Sequence, residues 1–112
     1  GSAGGSAGFP SGGLPYKWVQ LFSGTSSYST SVVEHVITHE IGHCLGLRLT
    51  DYFNRSLSCG TGGNEGASNV GAIHIPGTPT GFDANSIMLS CFSSSESGNF
   101  GSYDVVALEY LY

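Results

Sequence analysis

Residues 31–46, SVVEHVITHEIGHCLG, leave this chain the least conformational freedom. Ser31 and Glu34 fit the S-x-x-E pattern of a capping box. In that arrangement the serine hydroxyl accepts an amide proton from the third helical residue, and the glutamate reaches back to the cap. Val33, Ile37, Ile41, Cys44 and Leu45 then recur at the three-to-four spacing of a buried stripe. Gly46 follows, a residue that can take the left-handed conformation closing a helix. The spacing predicts a helix over roughly 32–45. Within it His39 and His43 stand four residues apart, a rise of about 6 Å and an offset of roughly 40°. Two imidazoles so placed can converge on one cation. Glu40 is turned off that axis and is placed to take a proton from a metal-activated water. Zinc is the ion that this N-ligand chemistry implies. The bland alternative is three histidines on a helix face, His35 among them.

The remaining chain reads as one small domain. Its 112 residues include 18 glycines and only 10% charged residues, with 39% hydrophobic, too apolar for disorder and too rich in loop formers for a helical bundle. Net charge is −5, and Lys17, Arg48 and Arg55 are the only basic side chains besides histidine. No basic patch can track phosphates, which argues against nucleic acid and anionic membranes as partners. No apolar run is long enough to span a bilayer. The opening GSAGGSAG reads as a flexible linker or expression scar. No charged-then-apolar leader is present in these residues, so the expectation is that any signal peptide has been removed or omitted. Tyr16 to Phe22, YKWVQLF, has strand composition. Residues 47–86 carry little periodicity and read as ordered loops over a scaffold. Ser102 is placed to cap a last helix, SYDVVALEYLY, with Asp104 in its first turn and Val105, Leu108 and Tyr112 along one face.

Three cysteines allow one disulfide at most. Cys44 lies inside the helix. Cys59 and Cys91 sit in Gly/Ser-rich segments and are better placed to bridge in an oxidising compartment; the alternative is three reduced, buried thiols. Low lysine with high Gly, Ser, Thr and Asn leans towards a secreted bacterial protein.

HEIGH with Gly46 three residues on resembles the metzincin clan of zinc peptidases. HEIGHCLGLR, TDYFNRSLSCG, NEGAS, VGAIHIPGTP and DVVALEYLY resemble more closely the bacterial dual-action HEIGH metallopeptidases, over residues 7–112. The resemblance implies an α+β fold: a reduced metzincin-like zincin domain with an active-site helix, one or two remaining sheet strands, a long ordered loop region, a Met-turn and a C-terminal helix. Residues 1–6 would be linker-like and 7–112 the peptidase domain, lacking part of the N-terminal subdomain. AGFP (7–10) and WVQL (18–21) look like the last two strands before the active-site helix. SIM (86–88) looks like the Met-turn, with Met88 as an apolar support for the histidines and Gly46 shaping the turn after them. An extended peptide or protein would be the substrate, taken up by strand addition.

Two departures qualify this. The slot for the third metal ligand holds Leu49, which has no lone pair. Asp51 is the nearest substitute, since carboxylate is an accepted zinc ligand, but it stands beside the slot and can serve the loop instead. His74 could reach a cleft, and His35 lies one turn too early. Otherwise the site is incomplete. Ser90 also stands where some metzincins place a tyrosine, so oxyanion stabilisation would fall mainly to the metal. The expectation is a zinc metalloendopeptidase with metal at His39 and His43, with Asp51 the candidate third ligand, and Glu40 as general base. The alternatives are an impaired or inactive peptidase scaffold that at most binds peptides, or a metal-free structural module.

Overall fold

A computed structural model describes residues 4–51, 54, 56–60, 74–92 and 98–112. NEGAS, the start of VGAIHIPGTP and most of the centre of the long loop region lie outside these. Among the described residues the chain is a small α+β protein of two short strands, three helices and a 3-10 turn: β1 Gly5–Ala7, β2 Val19–Leu21, the 3-10 turn Ser23–Ser27, α1 Thr30–Cys44, α2 Ser56–Cys59 and α3 Ser102–Leu111. No helix among the described residues is long and apolar enough to cross a membrane. The chain divides into two compact units, Gly1–Leu47 with Ser93–Asn99, and Arg48–Phe92 with Phe100–Tyr112.

The first unit is α1 and the small sheet beside it. β1 and β2 are antiparallel, with Gly5 opposite Leu21, Ser6 opposite Gln20 and Ala7 opposite Val19. The first strand thus opens at Gly5, two residues earlier than AGFP suggests and inside the stretch read as linker-like. Gly5 explains this placement. A Cβ there would stand 3.0 Å from the Gln20 carbonyl, 3.1 Å from Glu40 Cγ and 3.2 Å from Val36 Cγ1, so a bare backbone lets β1 approach α1. The buried Thr25 hydroxyl secures the preceding residue, accepting from Gly4 N at 2.8 Å and donating to Gly4 O at 2.9 Å.

α1 starts two residues before the expected position. Ser29, with extended backbone, is the cap, and its Oγ accepts from Val32 N at 3.4 Å. Position N3 is therefore Val32, and the reciprocal Ser31–Glu34 box does not form. Glu34 instead lies where Gly98 crosses the helix: a Cβ on Gly98 would fall 2.6 Å from Glu34 Cγ. Thr38 Oγ1 donates to the Gly98 carbonyl at 2.7 Å and fixes that crossing. The buried face is also turned from the expected one. Val32, His35, Val36, Glu40 and Cys44 are buried, while Ile41 remains 39% exposed. The sheet lies against the Val36 and Glu40 side, and that side outcompetes a stripe of equal helical periodicity.

The second unit is organised around residues 86–91. Ile87, Met88 and Leu89 are buried, Met88 completely. Asp104, 4% exposed, holds the start of this turn. Its Oδ1 accepts from Ser86 Oγ at 2.6 Å, and its Oδ2 from Ile87 N at 2.7 Å and Gly101 N at 2.9 Å. Asp51, fully buried, holds the end. Its Oδ1 accepts from Ser90 N at 2.9 Å and Ser90 Oγ at 2.8 Å, and its Oδ2 from the Ser58 hydroxyl. Ser58 Oγ in turn accepts from Cys91 N at 3.1 Å. Thr50 N donates to Met88 O at 3.0 Å. The expected disulfide is present: Cys59, at the end of α2, is bonded to Cys91. Closing a loop of 32 residues is worth roughly 3–4 kcal/mol on the chain-entropy model.

α3 is capped by Gly101, not Ser102. A side chain at 101 would drive into the Asn85 carbonyl at 2.3 Å, so glycine is required there. This one-residue offset turns Asp104 and Ala107 inward and leaves Val105 and Tyr112 exposed, contrary to the expected face. Removing the Asp104 carboxylate would strand three donors of this turn. Asp104→Ala is therefore expected to cost roughly 3 kcal/mol or more, since hydrogen bonds to charged groups are worth about 1.5–3 kcal/mol each; urea denaturation of the full chain measures it.

Candidate metal centre

His39, Glu40, His43 and Gly46 belong to the first unit, whereas Leu49, Asp51, His74, Met88 and Ser90 belong to the second. Within the first, α1 brings the two histidines together as their spacing suggests. Their ring centroids are 4.8 Å apart with planes at 87°. Both are half-buried.

The end of α1 decides how His43 is presented. Gly46 adopts φ +109°, a conformation open to glycine at little cost. The chain then folds back in a Schellman motif, with Gly46 N donating to His43 O at 3.0 Å and Leu47 N donating to Gly42 O at 2.9 Å. That return places the Leu47 carbonyl 2.8 Å from His43 Nδ1. A carbonyl only accepts, so Nδ1 carries the proton, and in the neutral ring Nε2 carries the lone pair. Metal-binding histidines are commonly oriented in this way. Phe9 packs against the same imidazole, with centroids 5.3 Å apart and planes at 80°.

Glu40 is buried, 8% exposed, beside Gly5 and Val36. Burial raises its pKa above the ordinary value, because desolvation penalises the charged form. Cys44, one turn on, is also buried; its thiol pKa is raised by burial first and by the Glu40 charge second. Its Sγ lies 3.7 Å from the Trp18 carbonyl as a weak donor. Cys44 is thus a packed thiol kept protonated. His35, 3% exposed, is likewise packed into the helix's buried face.

Zinc takes imidazole nitrogen as a ligand and prefers four-coordination. The His39–His43 pair suits two of those positions, with the His43 lone pair on the ring nitrogen away from Leu47. Among the described residues no three His, Cys, Asp or Glu side chains come together as a metal-binding group. Asp51 has both carboxylate oxygens engaged with Ser58 and Ser90. His74 is exposed, and its Nε2 donates to Thr78 O at 2.8 Å. Ser90 gives its hydroxyl proton to Asp51. The donor set therefore fits zinc in part.

The sequence matches the family model described as dual-action HEIGH metallo-peptidase over residues 1–112, its whole length. The chain belongs to that family. No curated protein and no solved structure matches it. Membership makes it a member of a metallopeptidase family, whose chemistry is hydrolysis of peptide bonds in peptides or proteins and whose reaction implies a metal.

Three contributors to these arrangements escape sequence reading. Asp104 looks like an ordinary acid at a helix start, although it holds the SIM turn. Ser58 is one serine among many. Phe9 follows the linker-like opening with no pattern linking it to His43. The Gly101-x-x-Asp104 spacing is the one local signal for Asp104, and it points at the helix rather than at Ser86.

The raised pKa of Glu40 has a stability consequence. A carboxyl that holds its proton more tightly when folded favours the native state below its unfolded value, near 4.5, and that contribution is lost as pH rises through the raised folded value. Glu40→Gln removes the penalty. Metal-free Glu40→Gln is expected to melt above wild type at neutral pH, with the gap closing as pH falls towards 4.5; thermal melts in chelator across this range measure it.

Proposed function

We propose that this chain is a zinc-dependent metalloendopeptidase of the metzincin type, with His39 and His43 as metal ligands and Glu40 as general base. The observation that carries the reading is the imidazole pair: two rings 4.8 Å apart on one helix face, one with its Nδ1 proton spent on the Leu47 carbonyl. Zinc, when bound, supplies Lewis acidity to the scissile carbonyl and to an attacking water. The chain's own part begins with Glu40, between the two histidines in sequence. Its burial raises its affinity for a proton, and a base tuned towards the working pH transfers protons more efficiently. After attack the same carboxyl holds that proton for delivery to the leaving amine. Gly46 supports the site through the Schellman return, and Met88 has the structural-support role implied by resemblance, held within its own unit by Asp104 and Asp51. Substrate would be an extended peptide. The Cys59–Cys91 bridge supports an oxidising, extracellular location, and bacterial origin rests on the resemblance.

The second reading keeps the fold and weakens the chemistry. It is favoured by Leu49, which has no donor atom, and by Asp51, three of whose carboxylate lone-pair sites are taken by Ser58 and Ser90. In this reading Asp51 is a clamp of the turn and the site is a two-imidazole remnant that at most binds peptides.

Zinc stoichiometry and hydrolysis of an unstructured protein separate the two. The peptidase reading expects close to one zinc per chain and turnover that Glu40→Gln abolishes while the metal stays. The scaffold reading expects substoichiometric zinc, with Leu49→His tightening zinc at least ~10–100-fold, the scale on which even the hydrogen-bond partners of metal ligands matter. A wild-type chain that takes up no zinc, with no gain in Leu49→His, overturns the metal assignment.

A further inference from the structure

The His43 ring meets one backbone group, the Leu47 carbonyl, and the side-chain rings of His39 and Phe9. The Leu47 carbonyl fixes which nitrogen is protonated. The Phe9 ring meets the imidazole in a T-shaped contact, 5.3 Å between centroids and 80° between planes. Its neighbour Pro10 lies over the helix end: Cγ of Pro10 is 3.5 Å from where a Cβ on Gly46 would stand. Gly8, on the other side, packs so closely on the Tyr16 ring that a Cβ would come within 2.5 Å of it. Tyr16 N in turn donates to the Cys44 carbonyl at 3.0 Å. The segment carrying Phe9 is therefore anchored on both sides to the last turn of α1, and Phe9 itself is 42% exposed.

We propose that Phe9 is a positioning residue for His43: its ring blocks rotation of the imidazole about its outer side-chain bond, so that Nδ1 stays on the Leu47 carbonyl and Nε2 stays presented for metal. The proposal rests on His43 being a metal ligand. Without Phe9 the ring samples other orientations, the Nδ1–H bond to Leu47 is populated less, and the proton redistributes towards Nε2, which removes the lone pair a metal needs. An aromatic pair of this geometry contributes on a scale of about 2- to 12-fold in an equilibrium constant.

Nitrogen-15 NMR of the histidines in metal-free full chain, and zinc affinity by competition with a chromophoric chelator, test this in wild type, Phe9→Ala and Phe9→Tyr. The expected result is a single Nδ1–H tautomer for His43 in wild type and Phe9→Tyr, and a mixture in Phe9→Ala with zinc bound roughly 2- to 12-fold more weakly. Circular dichroism confirms that the variants fold. An Ala variant with wild-type tautomer and wild-type zinc affinity overturns the proposal, as does a mixed tautomer in wild type. Neither measurement uses substrate, so a chain that binds zinc as described and cleaves nothing removes the peptidase reading alone. A wild type that takes up no zinc overturns both.

Discussion

The left-handed backbone at Gly46 is the constraint on which the first unit's presentation of its histidines depends. Two hydrogen bonds close α1 around that residue, and the closure is what brings the Leu47 carbonyl to His43. With a β-carbon at 46 the φ of +109° would be strained, the return would shift, and the imidazole would lose the acceptor that fixes its proton. Helix termination and imidazole orientation are one event here. The same turn gives Pro10 a surface on which to lie, so the N-terminal segment is folded onto the site by the geometry of the helix end.

The second unit solves a different problem, how to order a turn whose buried apolar centre is small. It uses two buried carboxylates, each gathering donors from distant segments. Asp104 unites Ser86, Ile87 and Gly101, and Asp51 unites Ser58 and Ser90. Buried carboxylates stabilise only when their lone pairs are filled, and here every oxygen has a donor. Gly101 shows how tightly this is drawn, since the Asn85 carbonyl leaves no room for a methyl group. Order in this unit thus comes from polar convergence around a small apolar centre of Ile87, Met88 and Leu89.

What could be read from the sequence was local. The helix α1, the adjacency of His39 and His43, the terminating Gly46 and the last helix all follow from periodicities within a dozen residues. The start of α1 falls two residues before the expected one because Ser29 and Ser31 offer the same hydroxyl, and the choice falls to the backbone entering the helix. Its buried face differs from the expected one because two stripes fit the helical repeat, and β1, admitted by Gly5, packs on Val36 and Glu40. The roles of Asp51 and Asp104 were not legible, since their partners lie as far as 39 residues away. Leu49 was legible as a departure, and no described side chain joins the two histidines to complete a metal-binding group.

The Cys59–Cys91 bond also bears on the fate of a member of a protease family in the presence of its own kind. It encloses the whole stretch between those two cysteines in a covalent ring. A single proteolytic cut anywhere inside that ring opens the backbone without shedding a fragment. The nicked molecule keeps its mass, plus one water, until a reductant separates the pieces.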